Sequence, residues 1–443
     1  MPSFKKIDQW QPHLNAFLEI FYDQASRAGW PVAVKDVICT IEGHTTAASR
    51  LLQKFRSPFE ATVITKLKKA GAIIIGKTNL DEFAMGSSTE YSACGVTKNP
   101  WDLSRVAGGS SGGSTAVVAC GAVPAALGTE TGGSIRQPAS FCGVVGLKPT
   151  YGRVSRFGVI AYGSSLDQVG PIARTVKEVA RLLKIIAGHD PRDATSDPRP
   201  VPDYTKVCGK EIKGLRIGLP KEYFGEGIDK EVGRTVLDAT QQLKKLGASL
   251  IEISLPLTNV AIPTYFLIAK SEASTNLARY DALRYGRMDL ETATLLERYM
   301  EARGRGFGPE VKRAILMGTY ALSAGYYHAW YQQASKLRTL IRREFDAAFK
   351  NVDVIASPTT PEIAFPIGSK SDPLSMYLSD ALTCPQNVAG IPAISIPCGF
   401  SNKLPVGLQL TAPSFQEERL FRVAHAYEQS QQWYKKTPLL QGT

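Results

Sequence analysis

Between Arg105 and Gln137 two Gly-Gly-Ser clusters, at 108–110 and 132–134, bracket a single apolar segment built almost wholly from small residues. Glycines bunched in this way admit positive φ and leave backbone N–H groups free to face a ligand. A serine on such a turn can present its hydroxyl to a bound carbonyl while neighbouring amides wait for the oxyanion. One Gly-Ser stretch alone reads as a loop. Two of the same composition around a buried helix read as a site.

The remainder of the chain alternates between helical and extended patterns. Leu14, Phe17, Ile20 and Phe21 predict a helix over 13–28, and 31–34 a short buried strand that ends at Lys35. An amphipathic helix follows over 59–70, with Gly71 as its C-terminal stop, and then a strand over 72–75. Helices near 111–121 and 175–187 flank a strand near 144–147. The stretch 189–206, with four prolines and four aspartates, reads as an exposed connector. Beyond it, strands at 215–219 and 249–253 surround a helix near 230–246, and 262–350 is mostly helical, including the aromatic-rich 320–331. Strands at 352–356, 393–396 and 406–410 and a helix at 417–431 complete the chain. Such alternation predicts an α/β class fold, a sheet covered by helices, and apolar strands on both sides of the connector predict that the sheet is continuous.

Composition narrows the function classes. With 44% hydrophobic and 21% charged residues, the 443-residue chain has ample material for a core. Seven cysteines without a C-x-x-C pair read as reduced, buried thiols. The five histidines are not spaced with cysteines or carboxylates as metal ligands would be, so no metal is expected. The first twenty residues lack the apolar core of a secretory signal, and the longest apolar stretch is too short to span a bilayer. A formal charge of +12 fits either solubility or an anionic partner such as RNA.

Two pattern matches fail on context. Residues 71–78 satisfy the P-loop expression, but the intervening Ala-Ile-Ile-Ile is β-prone, and its amides belong in a sheet ladder. Residues 108–112 satisfy G-x-S-x-G, yet the preceding 98–105 is polar and proline-containing where the nucleophile elbow needs a buried strand. No histidine has the context of its base. Lysine can activate a serine instead if burial brings its pKa toward neutrality. Lys35, at the end of an apolar strand, is the best placed candidate; spacing alone equally allows a lysine that snorkels to the surface.

Lys35, the block G-G-S-S-G-G-S (108–114) and T-G-G-S-I-R-Q-P-A-S-F-C-G (131–143), correctly spaced, resemble the amidase signature family. The resemblance implies that family's fold, one large mixed β-sheet covered on both faces by helices, as a single domain over 1–443 with a signature core about 30–190. It implies a Ser-Ser-Lys triad: Ser134 the nucleophile, Ser110 after a cis peptide as the proton bridge, and neutral Lys35 the base. The N–H groups of Thr131, Gly132, Gly133 and Ser134 would form the oxyanion hole, with Arg136 and Asp167 as scaffold ion-pair residues.

Further segments, among them 77–90, 149–158, 164–171, 187–193, 317–327 and 377–380, resemble the glutamine-hydrolysing A-subunit branch of that family, the glutamyl-tRNA(Gln) amidotransferases. This implies glutamine as substrate, with Arg313 on its carboxylate, Asp380 on its ammonium and Tyr265 in the pocket. It also implies B and C subunits in a heterotrimer, tRNA held mainly by the B subunit, ATP and Mg used there rather than in this chain, and a cytoplasmic setting without a membrane. Activity on small or acyl amides as a stand-alone amidase is the alternative. Two features depart from the branch: only 34 residues precede Lys35, which bears on the C-subunit contact, and Trp30 stands where a small aliphatic residue is usual.

Overall fold

A computed structural model describes residues 4–286 and 290–440. The strands are β1 (Phe17–Ile20), β2 (Trp30–Lys35), β3 (Ala72–Thr78), β4 (Lys98–Asn99), β5 (Asp102–Val106), β6 (Ala125–Glu130), β7 (Val145–Lys148), β8 (Gln168–Ala173), β9 (Arg216–Pro220), β10 (Ser249–Ile253), β11 (Val354–Pro358), β12 (Ala393–Ser401) and β13 (Leu404–Thr411). Eleven of them form one sheet in the order β1-β3-β2-β6-β8-β7-β12-β13-β11-β9-β10, and β4 pairs with β5 as a separate ribbon. The large sheet is mixed: β3, β2 and β6 run parallel, the successive neighbours β6, β8, β7, β12, β13 and β11 pair antiparallel, and β11, β9 and β10 are parallel again. Strands from both sides of the connector therefore share one sheet.

The helices are α1 (Phe4–Leu14), α2 (Thr62–Lys69), α3 (Gly112–Ala119), α4 (Arg136–Cys142), α5 (Val176–Ile186), α6 (Lys230–Lys245), α7 (Thr258–Asn276), α8 (Leu295–Gly306), α9 (Pro309–Leu322), α10 (Tyr331–Ala348), α11 (Pro373–Tyr377), α12 (Cys384–Ala389) and α13 (Glu417–Gln431). Side-chain alternation along the strands divides the core between two faces. Val32, Val34, Ile74 and Leu127 pack with α2, α5, α6 and α13, whereas Ala33, Ile73, Ile75 and Ala126 pack with α1, α3 and α4. Small residues on β2 and β6 let α3 lie close to the second face, and every residue of α3 is buried. Burial at about 25 cal/mol per Å² of apolar surface is the main stabilising contribution on both faces.

The front of the chain departs from expectation. The helix is Phe4–Leu14, not 13–28, and Phe17–Ile20 is an edge strand on β3. Asn15 takes φ 50, which ends the helix, and the Gln11 side chain captures Ala16 N, Phe17 N and Phe17 O at 3.1, 2.9 and 2.8 Å. Leu14 and Phe17 thus reach the core from two elements. Trp30 opens β2 and donates its indole N–H to Ala70 O at 3.1 Å.

Three other expectations need correction. The aromatic stretch 320–331 is not continuous helix: α9 stops at Leu322 and Gly325 turns at φ +86 before α10 begins. The connector is not wholly exposed, because Asp190, Asp193 and Ser196 are buried. Asp190 accepts from Ser155 Oγ at 2.8 Å, and Asp193 from Arg156 N at 2.8 Å, and these contacts pin the segment down. The cysteines are free, with Cys94 exposed and Cys208 half-buried rather than fully inside. Among the described residues no helix is long and apolar enough to cross a membrane.

Candidate active site

β2 and β6 are parallel neighbours, with Val34 opposite Leu127, so their C-terminal ends open on the same edge of the sheet. Chemistry in α/β sheets gathers at that edge. The apolar run of β2 carries Lys35 there with no route to solvent, and its side chain is fully buried. Its Nζ lies 2.7 Å from Ser110 Oγ, 2.9 Å from Ser111 Oγ and 3.1 Å from Thr129 O. Burial pushes its pKa from 10.5 down to about 7, against the pull of the Asp81, Asp167 and Glu130 carboxylates.

These three contacts fix where the protons lie. Thr129 O can only accept, and it also receives Ser111 Oγ–H at 3.1 Å. Ser111 Oγ, having donated, accepts from Lys35. Both N–H bonds of a neutral amine are then used, and its lone pair faces Ser110, whose O–H must point at it. Ser110 Oγ is left with lone pairs for an incoming proton.

The Gly109–Ser110 peptide is cis. Gln137 Oε1 accepts Gly109 N at 3.0 Å while Gln137 Nε2 donates to Ser87 O at 2.7 Å. Asp81 lies against the same loop and accepts Thr89 N at 2.9 Å and Tyr91 N at 3.1 Å. A Cβ on Gly109 would stand 2.2 Å from Asp81 Oδ2, so only glycine fits here.

Glu130 shapes the second loop. Its Oε2 accepts Ile135 N and Arg136 N, both at 3.0 Å, which folds 131–134 into a tight arch between β6 and α4. Burial opposes ionisation of Glu130, yet the Arg136 guanidinium, 2.5 Å away, holds its pKa below the ordinary value. Among the described residues the N–H groups of Thr131, Gly132, Gly133 and Ser134 donate to no protein acceptor, which leaves the arch with the donors that an oxyanion needs. Ser134 is 6% exposed whereas Ser110 and Lys35 are 0%. Its carbonyl accepts Ser111 N at 3.1 Å, which ties the two loops together. Among the described residues no hydrogen bond links the Ser134 and Ser110 hydroxyls.

Two of the three expected substrate contacts line this arch. A Cβ on Gly132 would meet Tyr265 Cζ at 2.6 Å, and one on Gly133 would meet Asp380 Oδ1 at 2.5 Å. Asp380 is buried; its Oδ2 accepts Ser87 Oγ at 2.5 Å, while Oδ1 has no hydrogen-bond partner among the described residues. Burial lifts its pKa to about 7. Arg313, on α9, is half-buried and ion-paired to Glu310. Its partner Glu310 also accepts from Tyr377 OH at 2.8 Å, and the Tyr377 ring lies tilted 4.1 Å from that of Phe266, itself 4.9 Å from Tyr265.

Arg136 is ion-paired as expected, to Glu130, and also donates to Thr383 O at 2.8 Å and Asn387 Oδ1 at 2.5 Å. Asp167 makes no ion pair among the described residues. It accepts Thr131 Oγ1 at 2.6 Å, Tyr162 N at 2.8 Å and Gly163 N at 3.1 Å, and so anchors the arch. The strand before Gly108, β5, belongs to the small ribbon and is largely unburied, unlike the central strand of a nucleophile elbow. Lys77 of the apparent P-loop is buried in β3, 3.2 Å from Asp36. Ser111, Gln137, Glu130 and Asp81 were given no role from the sequence, although Ser111, Gln137 and Asp81 lie in the segments 108–114, 131–143 and 77–90. Among the described residues no group of three or more His, Cys, Asp or Glu is arranged to hold a metal ion.

A family model described as Amidase matches residues 2–421. The A subunit of glutamyl-tRNA(Gln) amidotransferase from Chloroflexus aggregans is 55% identical over 452 residues, covering 98% of this chain and 92% of that protein. The same-named protein of Microcystis aeruginosa is 58% identical over 413 residues, covering 93% and 85%. The crystal structure of the A subunit of glutamyl-tRNA(Gln) amidotransferase from Thermotoga maritima superposes with a TM-score of 0.84 at 44% identity, covering 98% of this chain and 90% of that one. Peptide amidase from Stenotrophomonas maltophilia superposes at 0.82 with 31% identity, covering 99% and 94%. By its sequence match over nearly all its length, and by a fold shared with these enzymes, the chain belongs to the amidase family.

Proposed function

We propose that the chain hydrolyses the side-chain amide of glutamine and is the ammonia-supplying subunit of a tRNA-dependent amidotransferase. The observation that carries this reading is an unpartnered, buried Asp380 oxygen beside the Gly133 arch, on the same sheet edge as the Lys35–Ser110 contact. A carboxylate oxygen left without a partner in a buried position is costly, and the ammonium of an α-amino acid would satisfy it.

In this reading Ser134 Oγ attacks the amide carbon and its proton passes to Ser110 as Ser110 passes its own to Lys35. The N–H groups of 131–134 hold the oxyanion. When it collapses, the C–N bond breaks, Lys35 returns a proton through Ser110 to the departing nitrogen, and ammonia leaves a γ-glutamyl ester on Ser134. Water, deprotonated along the same relay, releases glutamate. The ammonia passes to a B-type partner that holds the misacylated Glu-tRNA(Gln) and uses ATP and Mg, with a small C-type subunit completing a cytoplasmic complex. Identity of 53–58% over nearly the whole chain to proteins named as the A subunit supports that assembly.

The deciding assay measures ammonia release by the full chain, with whatever subunits co-purify, from L-glutamine and from a panel of simple and acyl amides. Preference for L-glutamine is expected. Turnover of acyl amides with none of glutamine would contradict the reading.

The pH dependence should differ between substrates. Lys35 must be neutral, and its pKa lies at about 7, so kcat/KM for any amide falls as pH drops below about 7. Asp380 must be ionised to meet the ammonium, and burial lifts its pKa to about 7 as well, so falling pH removes that partner too. The acid limb for glutamine should therefore be steeper than that for an uncharged amide. Parallel limbs would show that Asp380 does not bind the charged end.

A further inference from the structure

Glu310 is a buried carboxylate that the hydrolytic steps do not use, and it is 2% exposed near the start of α9. Three donors from three segments converge on it. Lys270 Nζ on α7 reaches Oε1 at 2.7 Å, Tyr377 OH at the end of α11 reaches the same oxygen at 2.8 Å, and Arg313, one turn along α9, takes Oε2. α7 and α9 cross in close contact, since a Cβ on Gly318 would lie 1.9 Å from Lys270 O. Tyr377 caps the short helical turn Leu378–Asp380, so the residue that grips Glu310 and the carboxylate beside Gly133 lie three positions apart on one turn.

Two basic groups, Lys270 and Arg313, share the one Glu310 carboxylate. Lys270 is buried with Glu310 as its ion-pair partner, and the rings of Phe266 and Tyr377 lie 5.4 Å from its Nζ, so it is closed off from solvent. Arg313, half-buried, is the cation left facing outward, and its planar fork retains N–H groups for a second carboxylate.

We propose that Glu310 is a positioning residue for the α-amino-acid end of the substrate. It orients Arg313 for the substrate carboxylate and, through Tyr377, holds the turn that carries Asp380 for the ammonium. One buried carboxylate thereby sets the spacing between the two charged contacts and selects an α-amino acid over a plain amide. The inference rests on the glutamine reading above.

Steady-state kinetics on the full chain with its co-purifying subunits test it, using Tyr377→Phe and the double variant Glu310→Gln/Lys270→Met. Tyr377→Phe deletes one hydroxyl and keeps the ring packing; the double variant removes both partners of the buried Lys270–Glu310 pair, so the only charge that loses its partner is the half-exposed Arg313. For Tyr377→Phe the KM for L-glutamine is expected to rise about tenfold with kcat nearly unchanged, since a hydrogen bond to a charged group is lost. The double variant should lose about a hundredfold in kcat/KM, again through KM. A fall in kcat at constant KM, or glutamine kinetics within about twofold of wild type in Tyr377→Phe, would overturn the proposal while the glutamine reading stands. A wild-type chain that turns over other amides but not glutamine fails that reading, and the positioning role falls with it.

Discussion

Ser134→Ala is expected to lose amide hydrolysis by about four orders of magnitude or more, on every substrate, with the fold intact. Members of a cooperative triad fail together, so Ser110→Ala and Lys35→Met should approach the same floor rather than each costing a part. Lys35→Met is the sharper variant. It replaces a fully buried amine with an apolar chain of similar length, so the melting temperature should not drop while activity vanishes. Ser111→Ala should cost far less, about tenfold, since it removes only one acceptor from the Lys35 amine and leaves Ser110 in place. In the reconstituted amidotransferase, Ser134→Ala should still form amidated tRNA from ammonium salts, because that step is assigned to the partner. The measurements are steady-state ammonia release and thermal melting; wild-type turnover in Ser134→Ala would remove the nucleophile from the account.

The second large effect concerns the charged end of glutamine. Asp380→Asn and Arg313→Ala should each lower kcat/KM for L-glutamine by about a hundredfold, the cost of leaving one charge of a pair without its partner. Asp380 is buried with one oxygen unpartnered, so Asn would present an N–H₂ where an ammonium must dock. Hydrolysis of an uncharged amide should hardly change in either variant. Equal losses on both substrates would mean that these residues hold the arch of 131–134 rather than read the substrate.

Elements with a strong local signal were legible in the sequence. The helix Glu417–Gln431 and the strand Ser249–Ile253 lie where periodicity puts them, because each combines a clear pattern with a defined stop. The front of the chain misled: Leu14, Phe17, Ile20 and Phe21 keep a helical spacing, but a left-handed Asn15 and a glutamine side chain that caps backbone groups divide the segment between a helix and an edge strand. Strands Ala125–Glu130 and Gln168–Ala173 were also unread: they are rich in glycine, alanine and polar residues, and only their central place in the sheet makes them strands.

The site divides in the same way. Glycine clustering marked both loops that carry Ser110 and Ser134, for a reason the structure makes concrete: Cβ atoms at 109, 132 and 133 would collide with Asp81, Tyr265 and Asp380. Spacing alone could not tell Lys35 from a surface lysine; the family resemblance implied its role as base, and its full burial agrees with that. Glu130, Asp81 and Gln137 act through contacts that depend on folded backbone, which no spacing in the sequence encodes. Arg313, Asp380 and Tyr265 were reachable through family resemblance alone, since nothing local distinguishes them from an ordinary surface charge or core aromatic.

The central claim is that an amide carbonyl is transferred to the Ser134 oxygen under the control of a neutral Lys35. Rapid acid quenching of the chain during turnover of L-glutamine, followed by mass analysis of its peptides, tests it directly. A γ-glutamyl ester is expected on the peptide that contains Ser134, present in wild type and absent in Lys35→Met. An ester on a different residue, or turnover with water attacking the amide and no ester on Ser134, would contradict it.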